Sequence, residues 1–232
     1  MNMISTVYLI PSTIDDAAIE TIPAYIIDAV KKCSVLFAEN ERTARRFLKS
    51  IHKEIVIDDF EWYGIHKAEE EQLSEFRKKI KEGKNIGIIS EAGCPGVADP
   101  GQVLIAAAQE MNVIVKPLVG PSSILLALMA SGMNGQSFSF MGYLPIDANE
   151  RTKAIQSMEQ KKDHTHIFIE TPYRNNQMFE SILKTCKGST RLCIAADITS
   201  AQEFIKTKTI GEWKNSKPEL HKRQVIFLLY SV

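Results

Sequence analysis

Ser90-Glu91-Ala92-Gly93-Cys94-Pro95-Gly96-Val97-Ala98-Asp99-Pro100-Gly101 is the stretch on which the reading of this chain turns. It follows a short apolar run, Ile86-Gly87-Ile88-Ile89, and precedes a helix-like run from Gln102 to Met111. The order is strand, long turn, helix. Three glycines and two prolines in twelve residues continue neither element. Glycine permits positive φ and close backbone approach, while proline fixes φ and removes an amide donor. At the carboxyl end of a strand in an open α/β sheet, such a loop presents backbone groups where ligands bind. A rigid turn without a ligand is the alternative. Neither G-x-G-x-x-G nor G-x-x-x-x-G-K-[ST] is present, so neither phosphate-binding mechanism is licensed.

Outward from that loop, strands alternate with helices. Thr6 to Ile10 reads as a first strand, followed by a helical region capped by Thr13 or Asp15 and restarted at Pro23. Val35 to Ala38 is a second strand, running into Glu39-Asn40-Glu41-Arg42. In the next helix Ala44, Phe47, Leu48 and Ile51 form one apolar face. Arg42, Arg46, Lys49 and Lys53 lie opposite, as a solvated surface or as an edge that contacts RNA phosphates. Ile55 to Ile57 reads as a short strand, and Asp58 to His66 as an irregular loop whose Trp62 and Tyr63 either pack or stack on bases. A charged helix spans Ala68 to Glu82 and stops at Gly83, and a strand at Val113 to Val115 closes this half. The pattern implies a parallel α/β sheet over residues 1–116.

The half from 117 to 232 opens on Val119-Gly120-Pro121-Ser122-Ser123, where Ser122 or Ser123 caps a helix from Ile124 to Ser131. The same amides and hydroxyls suit a carboxylate or a ribose edge. Phe138 to Met141 leads into Gly142-Tyr143-Leu144-Pro145, His166 to Ile169 into Glu170-Thr171-Pro172-Tyr173-Arg174, and Leu192 to Ala196 into Asp197-Ile198-Thr199. Phe204 to Ile210 and Gln224 to Tyr230 read as a closing hairpin pair joined by a charged loop holding Trp213. Successive strands without long helices imply a mixed sheet. Each polar cluster directly follows a strand, so the loops are expected to converge on a cleft between the halves.

The 232 residues fit one large domain or two smaller ones, and 44% apolar content suffices for a packed core. Lys plus Arg equals Asp plus Glu, so no global basic footprint for nucleic acid is present. The cysteines Cys33, Cys94, Cys186 and Cys193 lack C-x-x-C spacing, which argues against a zinc site and for a reducing cytoplasm. No signal-peptide pattern and no membrane-span-length apolar run occur. No nucleophile–base pair declares itself. Cys94 reads as a packing residue or a reactive thiol. A site of backbone amides and small residues suits a reaction run by positioning, such as methyl transfer from an activated cofactor.

The stretch from Ser90 to Gly101 resembles the S-D-A-G-T-P-G-x-S-D-P-G signature of the tetrapyrrole methylase superfamily, nearest to its ribosomal small-subunit RNA 2′-O-methyltransferase I branch. The resemblance covers nearly the whole chain. Gly120-Pro121-Ser122-Ser123 is similar to G-P-S-A, Gly142-Tyr143-Leu144-Pro145 to G-F-L-P, and Phe168 to Arg174 to F-Y-E-S-P-H-R, while Glu39 to Arg45 is similar to E-D-T-R-T-A-R. It implies an α/β fold of two domains, the class III methyltransferase fold. Residues 1–116 would form a parallel N-terminal domain and 117–232 a mixed-sheet C-terminal one. S-adenosylmethionine would lie in the cleft between them, in a homodimer without metal. Cofactor contacts would then fall at Glu91, Ala92, Gly93, Cys94, Gly96, Ser122, Ser123, Tyr143, Leu144 and Ala195. Glu39, Arg42, Glu170 and Arg174 become candidates for acceptor binding or proton removal. The implied acceptor is a ribose 2′-hydroxyl of ribosomal RNA, with Arg42, Arg46, Lys49 and Lys53 on its phosphates.

Departures from the pattern concentrate at substrate positions. Ile10 to Asp16 carries no glycine where the family has A-T-P-I-G-N-L-x-D, and Ala196-Asp197-Ile198-Thr199-Ser200 loses an arginine and a lysine. Two alternatives therefore accompany RNA methylation. One is methylation of a tetrapyrrole or another small molecule. The other is a non-catalytic module that binds S-adenosylmethionine.

Overall fold

A computed structural model describes residues 5–65 and 69–231. Two compact units part between Ser122 and Ser123.

The first unit holds five strands: β1 (Thr6–Ile10), β2 (Val35–Ala38), β3 (Glu61–Gly64), β4 (Ile86–Ile89) and β5 (Ile114–Pro117). They pair in the order β3-β2-β4-β1-β5, every pair parallel. Its helices are α1 (Tyr25–Val30), α2 (Glu41–Ile51), α3 (Glu69–Lys81) and α4 (Gln102–Glu110). The side-chain period of two divides each strand between two cores. On one face Ile10, Leu36, Ala38 and Ile89 meet Ile26 and Val30 of α1 and Leu48 of α2. On the other, Val7, Phe37, Ile86 and Ile88 meet Phe76 and Ile80 of α3 and Leu104 of α4. This is what right-handed crossovers require: the chain steps one way across the sheet through α1 and α2, then back through α3 and α4.

Gly87 shows how tightly the first face is filled. A Cβ there would stand 2.6 Å from Leu36 Cδ2 and 2.7 Å from Ile10 Cδ1. Gly87→Val is expected to destabilise the protein by about 1–3 kcal/mol through overpacking, read as a lower urea midpoint at unchanged slope. An unchanged midpoint would show that this face yields.

The second unit contains α5 (Ser123–Ser131), β6 (Phe138–Tyr143), α6 (Ala148–Gln160), β7 (Thr165–Ile169), α7 (Asn175–Thr185), β8 (Arg191–Ala196), β9 (Phe204–Thr209), α8 (Ile210–Lys214) and β10 (Val225–Tyr230). The sheet runs β6-β7-β10-β8-β9 and is mixed: β6 and β7 are parallel, and the remaining pairs antiparallel. Helix α5 covers one face through Ile124, Ala127 and Leu128. On the other, Ile155, Met158, Phe179, Ile182 and Trp213 pack on Phe168, Leu192, Ile194 and Phe227.

Four expectations fail here. The segment expected as irregular loop contains β3, which pairs in register with β2 from Val35↔Glu61 to Ala38↔Gly64. The short strand expected at Ile55 to Ile57 does not form, Ile57 instead opening a 3-10 turn, Ile57–Asp59. Residues 66–68 lie outside the described residues. The expected closing hairpin does not form: β8 lies between β9 and β10, so β9 pairs with β8 and β10 is inserted between β7 and β8. Strands without long helices is also corrected, because α6 has 13 residues and is capped by Asp147, whose carboxylate accepts from the Asn149 and Glu150 amides.

Candidate functional site

In the first unit β1 and β4 are neighbours, yet β1 leads to the helices of one face and β4 to a helix of the other. Their carboxyl ends therefore form a topological switch point, the ligand-binding position of open α/β sheets. The glycine- and proline-rich loop after β4 sits there. Among its residues Glu91 and Ala92 are exposed, Gly93 is buried and Cys94 half-buried.

Three loops are stitched together at this point. Ser12, two residues past β1, pairs with Gly93 as an isolated bridge: its amide donates to the Gly93 carbonyl at 2.9 Å, and the Gly93 amide donates back at 3.2 Å. The Ser12 hydroxyl also donates to the Ser90 carbonyl. Gly93 has φ +76°, and a Cβ there would stand 3.3 Å from the Pro121 carbonyl oxygen. A Cβ on Gly120 would overlap Pro11 at 2.2 Å. Glycine is thus demanded because loops from β1, β4 and β5 approach backbone to backbone. The Gly93 backbone groups are consequently committed to Ser12, which leaves Glu91–Ala92 and Val97–Ala98 as the exposed parts of the loop.

Cys94 belongs to the same packing. Its Sγ lies 3.4 Å from the Pro121 carbonyl oxygen, and burial raises its pKa. An activated thiol needs the opposite shift.

Beside the loop, carboxylates gather. Asp99 accepts a 2.6 Å hydrogen bond from the Ser90 hydroxyl. Burial, with a hydrogen bond to Glu39 and the charges of Glu39 and Glu91, raises Asp99 to about 7, against the opposing pull of Ser90. Below that value Asp99 carries a proton and can donate it in the hydrogen bond to Glu39. Asp99 was not among the candidates from sequence, since nothing in its spacing shows that it meets a residue from the end of β2. Glu91 is 3.5 Å from the Thr43 hydroxyl.

The basic stripe is real but heterogeneous. Asn40 caps α2, its side chain accepting from the Arg42 and Thr43 amides, and the Arg42 side chain is exposed. Arg46 stands 3.8 Å from Asp16, both mostly exposed. Lys49 donates to the Lys53 carbonyl at 3.0 Å and so closes the helix end. Trp62 and Tyr63 pack: the Trp62 indole donates to the Ile57 carbonyl with Arg45 over its ring at 4.8 Å, and Tyr63 stacks on Phe37.

In the second unit β6, β7 and β8 point the same way, so the loops after them share one end of the sheet. Tyr143 is exposed there and Leu144 is buried beneath. Glu170 Oε1 accepts from Arg174 Nη2 at 2.6 Å, from Arg174 Nε at 3.1 Å and from the Thr171 amide at 2.6 Å. Glu170 is 6% exposed. The pair thus clasps its own turn, with Glu170 turned away from solvent. Ala195 is wholly buried under α5 in the middle of the sheet. Ser123 is the first residue of α5, and Ser122 is half-buried just before it.

Among the described residues no group of three or more His, Cys, Asp or Glu is arranged to hold a metal, and no helix is long and apolar enough to cross a membrane.

Known proteins share this architecture. The chain is similar to the uroporphyrin-III C-methyltransferase of Thermus thermophilus, with TM-score 0.60 and 14% identity over 97% of this chain and 92% of that one. It also resembles the cobalamin biosynthetic enzyme cobalt precorrin-4 methyltransferase, with TM-score 0.63 and 13% identity over 97% and 94%. At the sequence level it is 28% identical to the ribosomal RNA small subunit methyltransferase I of Buchnera aphidicola, over 99% of this chain and 79% of the relative. The Escherichia coli O157:H7 protein of the same name is 26% identical, over 96% and 76%. The family model for the Tetrapyrrole (Corrin/Porphyrin) Methylases matches residues 8–214, and the chain belongs to that family of S-adenosylmethionine-dependent methyltransferases.

Proposed function

We propose that this methyltransferase acts on small-subunit ribosomal RNA and transfers the methyl group to a ribose 2′-oxygen. The observation that carries the acceptor is similarity over nearly the full chain to proteins named ribosomal RNA small subunit methyltransferase I. The fold neighbours that act on tetrapyrroles share no more than 14% identity with it in the two cases compared.

S-adenosylmethionine, when bound, supplies a methyl group already activated on a sulfonium. The residues fit a cofactor that needs positioning rather than activation: a backbone-lined loop at the switch point of the sheet, with an exposed Glu91–Ala92 tip held in place by Gly93 and Cys94. Glu91, Ala92, Cys94 and Gly96 are the proposed contacts in the first unit, and Ser123, Tyr143 and Leu144 those in the second. The chain's own chemical contribution is orientation and proton removal. Glu39, to which Asp99 is hydrogen-bonded, is proposed to take the proton that the hydroxyl loses, an effect worth roughly 10²–10⁴-fold for a positioned base. Arg42 and the exposed part of the α2 stripe would hold phosphates. Glu170 and Arg174 are proposed as positioning residues, because their mutual pairing fixes the turn after β7. We further propose that the protein acts as a homodimer in the cytoplasm. Support for self-association comes from the exposed Leu125 and Met129 of α5 and Phe138 and Met141 of the edge strand β6.

The test pairs calorimetric titration with S-adenosylmethionine and transfer of a labelled methyl group to purified small ribosomal subunits. Saturable binding, with label in a nucleotide that resists alkaline cleavage on its 3′ side, is expected, because a methylated 2′-oxygen cannot attack the phosphate. Label in an alkali-sensitive nucleotide would move the methyl to a base. Cofactor binding with no label in RNA would overturn the acceptor.

A further inference from the structure

The first unit contains a cavity of about 160 Å³ between one side of α2 and the loops after β1 and β4. Its lining is mixed: Thr13, Thr43, Ser50 and Arg46 with the carboxylates of Asp16 and Glu91, and Phe47 as apolar wall. Most of these groups already have partners. The Thr43 hydroxyl donates to the Asn40 carbonyl at 2.9 Å, and that of Ser50 to the Phe47 carbonyl at 2.7 Å. Thr13 differs. It is only 6% exposed, lines the cavity, and its hydroxyl makes no hydrogen bond among the described residues. The Thr13 oxygen is not among the fully buried atoms that lack a partner, so it faces the cavity and is open to what enters there. A hydroxyl held on a buried residue and aimed into a cavity is a ready hydrogen-bond partner for an occupant.

Size and chemistry restrict the occupant. Pockets for drug-sized molecules occupy about 300–1,000 Å³, so this one holds a single sugar or a fragment of similar bulk, not a tetrapyrrole macrocycle. The Thr13 hydroxyl both donates and accepts, the Glu91 carboxylate accepts, and the Arg46 guanidinium donates from the mouth, where only a 3.8 Å contact with Asp16 competes for it. A ribose offers hydroxyls that donate and accept, and its phosphate suits a guanidinium. The loop carrying Thr13 is also the one that departs from the family's glycine-containing sequence.

We propose that this cavity binds one ribose–phosphate unit of the acceptor RNA, with Thr13 hydrogen-bonded to a ribose hydroxyl and Arg46 paired with the adjoining phosphate. The assignment rests on RNA being the acceptor. It gives the chain a means of telling RNA from DNA, since the 2′-hydroxyl is the group that differs.

The experiment uses the full chain with a short single-stranded oligoribonucleotide, its all-deoxy counterpart and S-adenosylmethionine. The wild type is expected to bind the RNA about tenfold more tightly than the DNA, the worth of one well-placed hydrogen bond. Thr13→Val should abolish that preference by weakening RNA alone, with DNA and S-adenosylmethionine affinities unchanged. Its melting temperature should not fall, because the hydroxyl removed has no protein partner. Arg46→Gln should weaken RNA and DNA alike and flatten the salt dependence by about one phosphate contact. If Thr13→Val retains the wild-type preference, the cavity holds only water and the assignment is overturned. If it weakens S-adenosylmethionine instead, the ribose is that of the cofactor, which also overturns it. A wild type that binds S-adenosylmethionine but neither oligonucleotide would defeat the RNA reading itself, a result distinct from either failure of Thr13.

Discussion

Trp213→Ala is expected to destabilise the protein by about 3–5 kcal/mol, the usual cost of truncating a large aromatic in a packed core. Trp213 is 1% exposed and packs edge-to-face against Phe179 at 5.8 Å. Its indole N–H donates to the Leu192 carbonyl at 2.9 Å in a fully buried bond, so truncation also strips an acceptor of its partner. The residue pins the segment between β9 and β10 onto β8, and β8 is the strand that separates those two. Trp213→Phe keeps much of the ring contact and loses the N–H, so a smaller loss of about 1–2 kcal/mol is expected. Urea denaturation of both variants decides the matter. A loss below about 1 kcal/mol for the alanine variant would mean that the neighbours collapse into the space and that Trp213 is not the anchor.

That segment also shows where sequence reading succeeds and where it stops. Thr209-Ile210-Gly211-Glu212 carries a capping box, with the Thr209 hydroxyl accepting from the Glu212 amide and the Glu212 carboxylate accepting from the Thr209 amide. The signal was local and present, but the charged residues around it favoured a loop. Helix α6 went unread for a related reason. Asp147 is an ordinary N-cap, yet only Arg151, Ile155 and Met158 of the helix are buried, so the apolar stripe that advertises a helix is thin. Strand β3 is four residues on a sheet edge, half-buried, and carries Glu61 and Gly64. Such a strand is specified by its partner β2 more than by its own pattern. The insertion of β10 between β7 and β8 is non-local, and strand order leaves no mark in any window of sequence.

The central strands were legible because burial on both faces writes a continuous apolar run. Val35–Ala38 and Ile86–Ile89 are buried at every position. The loop after β4 was legible because three glycines and two prolines permit no regular element. Its partners were not. Nothing in the spacing of Ser12 and Gly93, or of Glu39 and Asp99, announces that they meet, since each pair is brought together by parallel pairing across β1, β4 and β2. The candidate Glu170 shows the converse. Sequence offered it as a free carboxylate, whereas the turn after β7 folds it inward onto Arg174.

The proton held on Asp99 makes stability depend on pH in a direction opposite to that of most carboxylates. Burial and the adjacent carboxylates raise Asp99 from an ordinary 3.8 to about 7. Between those values the folded protein holds a proton that the unfolded chain has released. Stability from this group is therefore complete below about pH 4 and lost as pH rises to about 7. Three pKa units correspond to about 4 kcal/mol, which solvent screening of the half-buried Asp99 reduces to about 2 kcal/mol. Asp99→Asn removes the titration while keeping an oxygen that accepts from Ser90. The variant is expected to match wild type near pH 4 and to exceed it increasingly towards pH 8, by up to about 2 kcal/mol. Urea denaturation across that range reads the difference directly, and groups common to both proteins cancel. A difference independent of pH would remove Asp99 as the titrating group. Methyl transfer by Asp99→Asn supplies the functional half: if the proton on Asp99 only holds the loop, the rate survives and loses its dependence on pH near 7. If Asp99 takes part in removing the acceptor's proton together with Glu39, the rate falls at every pH although the protein is more stable, and only that second outcome supports a catalytic role for the pair.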